Sequence, residues 1–329
     1  MQIRHLGHHG PAVSALGLGC MGMSDFYGSK TGRDDAESLA TIAEALDRGV
    51  TLLDTGDFYG MGHNEALVGK AIAGRRDSVF LSVKFGAMRS FSGGFLGFDG
   101  RPAAVKNFAA YSLQRLGVDV IDLYQPARVD PAVPYEDTIG AVADLIREGK
   151  VRFLGISEAS AEQMRRAHAV HPVAALEIEY SLATRLIEDE ILPVARELGV
   201  GIVAYGALSR GLLSGTFDGT LAPGDFRAHS PRFTGENLAH NLERVAALKK
   251  IAARKGCTAS QLAIAWVLSR GGDIVPIVGT AKRTRLRENL QALEVELDPS
   301  DLAELNQMFA PGAIAGDRYP EQQMRLVAR

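Results

Sequence analysis

Three side chains in this sequence have the types that a proton-transfer centre uses: Asp54 at the close of the apolar run 50–53, Tyr59 shortly beyond it, and Lys84 just after the apolar run 79–83. A phenol has an ordinary pKa of ~10 and gives up its proton poorly at neutral pH unless a cation stabilises the anion left behind. Lys84 is suited to be that cation, Asp54 to hold Lys84 charged, and Tyr59 to donate the proton. Taken singly, each is an ordinary capping or ion-pairing residue. Together they form a site only if the two runs are adjacent parallel strands whose C-terminal ends share one face.

The elements needed for this are legible. Short β-branched runs at 13–19, 50–53, 79–83, 120–124, 151–156, 173–178, 201–204 and 274–278 read as buried parallel strands. Between them lie amphipathic stretches such as DDAESLATIAEALDRG, AAVKNFAAYSLQRLG, YEDTIGAVADLIREGK, ASAEQMRRAHAV and ILPVARELGV, which read as helices. Eight strand–helix alternations with no linker between them predict an α/β fold, a (β/α)₈ TIM barrel forming one domain over residues 1–329. The first residues read as a hairpin plugging the barrel floor. Segments 86–100 and 217–241 exceed ordinary connections and are expected as long loops on the catalytic face.

Composition narrows the function classes. The 329 residues carry 36 Lys plus Arg against 39 Asp plus Glu, a net charge of -3, which offers no basic surface for nucleic acid. Cys20 and Cys257 are far apart and lack CxxC spacing, arguing against a disulfide framework or thiolate zinc site. His5 with His8, and His168 with His171, lack a third ligand, so no metal is expected. The opening MQIRHLGHHGPAV has no apolar signal region, and no run approaches the ~20 residues of a membrane span, so a soluble, cytoplasmic protein is expected.

Gly17, Gly19 and Gly22 satisfy GxGxxG, the dinucleotide fingerprint of open α/β sheets. That motif works only where a helix begins at the glycines. Here Asp25, Gly28 and Gly32 delay the helix, and Asp54 lies farther on than the ~20 residues expected of the ribose-binding acid. A glycine-rich barrel loop is the better reading.

DTGDFYGMGHNEALVGKAI from residue 54, VFLSVKFG around Lys84, GISEAS, EIEYSL, VAYGALSRGLLSG and IVGTAKRTRLRENLQAL resemble, in order along nearly the whole chain, the aldo-keto reductases. The resemblance implies a (β/α)₈ barrel that reduces an aldehyde or ketone to an alcohol with NADPH. It places Asp54, Tyr59 and Lys84 on three of the family's four catalytic positions. At the fourth, where the family carries His, IDLYQPARVDP has Ala127, which offers no side-chain donor. If the strand persists, Gln125 shares a face with Ala127 and Arg128 points the other way. These three residues and Phe26 are assigned to the substrate.

The resemblance also implies the cofactor contacts. Gly22 and Met23 follow the first strand. Ser157, Glu158 and Glu177 fall at the nicotinamide carboxamide, with acids at two positions where amides are usual. Tyr205 falls where a ring stacks on the nicotinamide, and Gly206, Ala207, Leu208, Ser209 and Gly211 wrap the pyrophosphate. Gly279, Thr280, Lys282, Arg283, Arg285, Glu288 and Asn289 hold the adenosine end. The basic cluster of Lys282, Arg283 and Arg285 suits a 2′-phosphate, which favours NADPH over NADH. The extra acids Glu158 and Glu177 are expected to stabilise NADP+. Phe91, Phe95, Leu96 and Phe98 read as an apolar lid, pointing to a bulky, aromatic or quinone-like carbonyl compound. Two alternatives remain open: a non-catalytic NADPH-binding regulatory subunit, and a Schiff-base lyase using Lys84. The sequence leaves oligomeric state open.

Overall fold

The computed structural model describes residues 1–8, 10–24, 33–222 and 224–328. A hairpin, β1 (Ile3–His5) against β2 (Ala12–Ser14), opens the chain, with Ile3 opposite Ser14. β3 (Gly17–Gly19), β4 (Leu52–Gly56) and β5 (Phe80–Phe85) follow, then a second hairpin of β6 (Ala87–Arg89) and β7 (Phe95–Phe98). β8 (Ile121–Pro126), β9 (Val151–Ser157), β10 (Val173–Glu179), β11 (Gly201–Tyr205) and β12 (Ile274–Gly279) complete the set. β3, β4, β5 and β8 to β12 form a closed parallel barrel, with Gly17 of β3 paired to Ile277 of β12. All eight expected strands are therefore present, within a residue or two at most boundaries and most displaced in the first, which begins at Gly17.

The helices lie outside the barrel and bury the strands' outer faces: α1 (Asp35–Asp47), α2 (His63–Ile72), α3 (Pro102–Leu116), α4 (Tyr135–Arg147), α5 (Ala161–Val170), α6 (Ile191–Leu198), α7 (Gly235–Arg254), α8 (Ala259–Leu268), α9 (Arg283–Leu290) and α10 (Pro299–Met308). Local sequence sets several ends. Ser160 with Gln163 and Thr258 with Gln261 close capping boxes on α5 and α8, and Gly117 and Gly199 take the left-handed conformation that ends α3 and α6.

Period-two alternation stacks the barrel interior in layers. Leu52, Phe80, Leu123, Val203 and Val275 form an apolar floor with Ala175 and Ile277, sealed by Leu6 and Val13 of the N-terminal segment, as the floor-plug reading expected. One step up the same strands stand Asp54, Ser82, Gln125, Glu177 and Tyr205; another step up stand Lys84 and Glu179, with Ser157 at the end of β9. The strands thus change from apolar to polar along their length, and all polar ends open on one face.

Two expectations change. Segment 86–100 is a hairpin rather than a loop, and segment 217–241 stops being a connection at Gly235, where α7 begins. The GxGxxG glycines lie in β3 and the 3-10 turn Met21–Met23, with α1 starting only at Asp35, which rules out the dinucleotide fingerprint here. Asp25, Phe26, Gly28 and Gly32 lie outside the described residues.

Gly17 has a packing reason to be glycine. A Cβ there would lie 2.8 Å from Ile277 Cγ2 and 2.9 Å from Leu52 Cδ2, whereas one at Gly19 would meet nothing closer than 3.6 Å. Gly17→Ala is therefore expected to cost about 1–3 kcal/mol as overpacking, and Gly19→Ala far less. Urea unfolding followed by circular dichroism measures this; equal losses at both positions would contradict it.

Candidate functional site

β4 and β5 pair with Asp54 opposite Ser82 and Gly56 opposite Lys84, so Asp54 and Lys84 are inward neighbours one layer apart. The strands run on past both residues, so these side chains sit inside the strands rather than at their ends. Lys84 Nζ donates to Asp54 Oδ1 at 2.5 Å, and to Glu177 Oε1 and Oε2 at 3.0 and 3.2 Å. Ser82 Oγ donates to Asp54 Oδ2 at 3.0 Å, and Gln125 Nε2 donates to Ser82 Oγ at 3.0 Å and Glu177 Oε2 at 2.6 Å. Gly155 leaves room for this: a Cβ there would lie 3.0 Å from Gln125 Oε1.

Tyr59 sits in the 3-10 segment Tyr59–Gly62, which turns back through left-handed Gly60 and Met61. This brings its ring under Lys84, whose Nζ is 5.4 Å from the ring centroid. Structure thus brings together the three residues expected to cooperate, and adds Glu177.

The electrostatics revise the expected division of labour. Burial alone would lower Lys84, but Asp54 and Glu177 together hold it well above the ordinary ammonium value. A lysine held charged is not a Schiff-base nucleophile. Burial raises the Tyr59 phenol, Lys84 offsets part of that, and Asp54 and Glu177 add to it. Tyr59 therefore stays protonated at neutral pH, because burial, with Asp54 and Glu177 adding, outweighs the lowering by Lys84. Burial also pushes Glu177 up, with Asp54 adding and Lys84 opposing.

Glu177 was expected at a carboxamide; here its carboxylate lies on Lys84. Glu158, at a left-handed φ of 49°, is bound by Arg318, whose Nη1 and Nη2 donate at 2.9 and 2.8 Å. Tyr205 Oη donates to Glu158 Oε1 at 2.8 Å, and the backbone N–H groups of Glu179 and Ala328 donate at 3.1 and 3.2 Å. Glu158 thus has a cation of its own, which removes its part of the field invoked to favour NADP+, whereas Glu177 shares the single Lys84 ammonium with Asp54.

Arg318 belongs to a segment that sequence reading missed. It is 2% exposed, and it lies with Tyr319 over the ends of β9, β10 and β11. Glu179 accepts from Thr184 Oγ1 at 2.7 Å and from Arg232 and Arg210 at 3.3 and 3.4 Å. Arg210 also packs 4.2 Å from the Tyr319 ring centroid. No periodicity marks residues 310–328; the one available signal was the acid at position 158, which, once buried, requires a cation.

The substrate assignments divide. Gln125 is buried beneath Lys84 with both amide hydrogens engaged, so it does not stand in for the missing imidazole. Ala127 is buried, its N–H bonded to Phe85 O at 2.8 Å. Arg128 does not turn away: Tyr205, Tyr319 and Glu158 act on its charge, placing it at the mouth of the site. β8 ends at Pro126, so strand alternation does not carry through to Arg128. Its guanidinium donates to Ala127 O at 2.6 Å and has no ion-pair partner among the described residues. Of the lid residues, Phe91 is almost fully exposed, and Phe95 packs on Phe98 with ring centroids 5.0 Å apart.

The residues assigned to a nicotinamide cofactor offer it suitable groups. Ser157 Oγ is buried with no hydrogen-bond partner, a donor fit for a carboxamide. Left-handed Gly206, Ser209, Arg210 and Gly211 shape the turn after β11 into one that can present backbone N–H groups to phosphate. Ala207 and Leu208 belong to the same turn. Gly22 is half-buried in the turn after β3, whereas the Met23 side chain packs in the outer core. Beyond Gly279, Thr280 Oγ1 accepts from Lys282 N at 3.0 Å, Glu288 O accepts from Gln261, and Asn289 is buried. Lys282 and Arg285 have no ion pair among the described residues, but Arg283 is engaged by Glu37 at 2.9 Å. The basic cluster is therefore less free than its composition implied.

Residues 15–309 match the Aldo/keto reductase family, and the chain belongs to it. It is similar to the glycerol dehydrogenase AKR11B4 of Gluconobacter oxydans, with 29% identity, a TM-score of 0.83, and coverage of 96% of this chain and 97% of that one. It is also similar to the aldo-keto reductase AKR11C1 of Bacillus halodurans in its holo form (28% identity, TM-score 0.78, coverage 98% and 99%). A thermostable aldo-keto reductase in complex with the inhibitor epalrestat matches at 28% identity and TM-score 0.76, over 94% of this chain and 100% of that one. The protein is an oxidoreductase of carbonyl and alcohol groups that uses a nicotinamide cofactor. Among the described residues no helix is long and apolar enough to cross a membrane.

Two measurements check the electrostatics. Arg318→Met leaves Glu158 buried without its cation, an expected cost of about 3–5 kcal/mol; adding Glu158→Gln should recover much of it in urea unfolding, and no recovery would mean that packing, not charge, holds the segment. Burial pushes Asp57 up to about 8, with Glu65 adding and the Gly86 N–H offsetting part. The folded chain thus keeps a proton that the unfolded chain releases near ~4. The stability this gives is complete below that pH and is lost as pH rises toward 8. Asp57→Asn should therefore stabilise more at about pH 8 than at about pH 5; the reverse order of unfolding midpoints would contradict it.

Proposed function

We propose that this enzyme reduces an aldehyde or ketone with NADPH, taking the proton from Tyr59. The observation that carries the reading is the convergence of Tyr59, Lys84 and Asp54 inside one barrel mouth. The cofactor, when bound, supplies the hydride that reaches the carbonyl carbon. Tyr59 gives its phenolic proton to the carbonyl oxygen, so the alcohol gains one proton and the phenolate remains. Lys84, 5.4 Å from the ring centroid, stabilises that phenolate as it forms, and Asp54 with Glu177 keeps the lysine charged and fixed.

Arg128 supports a role for a guanidinium at the substrate, since Ala127 offers no donor and Arg128 has no carboxylate partner among the described residues. The exposed Phe91, Phe95 and Leu96 support an apolar or aromatic substrate body. The glycerol dehydrogenase among the similar structures supports turnover in the alcohol-oxidising direction too.

Tyr59→Phe is expected to lower kcat by about 10²–10⁴-fold on aromatic aldehydes while NADPH still quenches protein fluorescence with unchanged Kd. Turnover persisting in that variant would remove Tyr59 from the mechanism. Lys84→Met should give a loss of similar order.

A further inference from the structure

We propose that Glu37 tunes the cofactor preference of this chain by competing with the 2′-phosphate of NADPH for Arg283. The proposal rests on the NADPH reading above and concerns how strongly that phosphate is selected.

α1 follows β3 and α9 follows β12; these strands are paired, and both helices begin at the rim onto which the strands open. α9 has no side-chain cap of its own, its N-cap being Lys282. Glu37, in the first turn of α1, supplies one from outside. Its Oε1 accepts from the Arg283 backbone N–H at 3.0 Å, Arg283 Nε lies 3.1 Å from Oε2, and Nη2 donates to Oε2 at 2.9 Å.

A carboxylate therefore occupies the first amide of a helix and the fork of an arginine together. Those are the donors that a phosphate monoester takes. Arg283 holds the Glu37 carboxyl below its ordinary range, so the group is an anion at neutral pH. An entering 2′-phosphate must displace Glu37 from these donors or sit beside its charge. A ribose 2′-hydroxyl meets no such repulsion and can donate to the carboxylate. Lys282 and Arg285 remain without ion pairs among the described residues, so the rim still attracts phosphate while Glu37 narrows the advantage.

The same two helices carry a second acid–arginine pair, whose acid caps no backbone N–H among the described residues and is shared with Arg48. Glu44 accepts from Arg287 Nε and Nη2 at 2.6 and 2.8 Å, but farther along α1 and away from the rim. It duplicates the bond without the location and serves as the control.

The test is calorimetric binding of NADPH, NADH, 2′,5′-ADP and 5′-ADP to the full chain and to Glu37→Gln and Glu44→Gln. Glu37→Gln is expected to tighten NADPH and 2′,5′-ADP about fivefold, as for removal of one exposed competing charge, with NADH and 5′-ADP little changed. Glu44→Gln should shift neither ratio. An unchanged NADPH-to-NADH ratio in Glu37→Gln, or an equal shift in Glu44→Gln, overturns the inference and leaves the NADPH reading standing. Failure of every form to bind either dinucleotide overturns both.

Discussion

One buried ammonium organises the interior of this barrel. Lys84 is 4% exposed, and a charge so placed survives only if counter-charges reach it. Asp54 arrives from the adjacent strand and Glu177 from across the barrel, a contact that barrel closure makes possible between residues 93 positions apart. Ser82 and Gln125 then saturate the remaining carboxylate oxygens. The apolar floor below keeps the layer dry on one side, so the cluster faces substrate from the open side alone.

The two acids at positions where amides were anticipated illustrate how neutralisation depends on where the cation comes from. Glu177 shares the strand residue Lys84 with Asp54 inside the barrel, and Glu158 is matched from above by Arg318. The site mouth is thereby cationic in balance: Arg128, Arg210, Arg232 and Arg318 surround Glu158 and Glu179. A mouth of that polarity suits an anionic cofactor better than the sequence's acids had suggested.

The barrel was legible because burial on both faces forces apolar runs, and because alternation fixes which residues look inward. Asp54 and Lys84 were legible for the same reason, whereas Tyr59, in the 3-10 turn beyond β4, was legible only from its residue type and its distance from Asp54. Alternation failed at Arg128 because Pro126 closes β8, after which a side chain's direction is set by a loop. Arg318 had no local signal, lying in an aperiodic stretch; its one pointer was the acid 160 positions earlier that needs a cation once buried. The pairing of Glu37 with Arg283 was equally hidden, since it joins the first barrel helix to the one after the eighth strand and exists only once the ring has closed.

The separation between Glu158 and Arg318 has a consequence for how the protein comes into being. At roughly 5–20 residues per second, translation leaves Glu158 without its cation for about 8–30 s after it emerges. During that interval the carboxylate at the end of β9 lacks the partner that lets it turn inward. The active-site mouth is therefore among the last parts of the barrel to mature, later even than the apolar floor, which is complete only once Val275 and Ile277 have emerged.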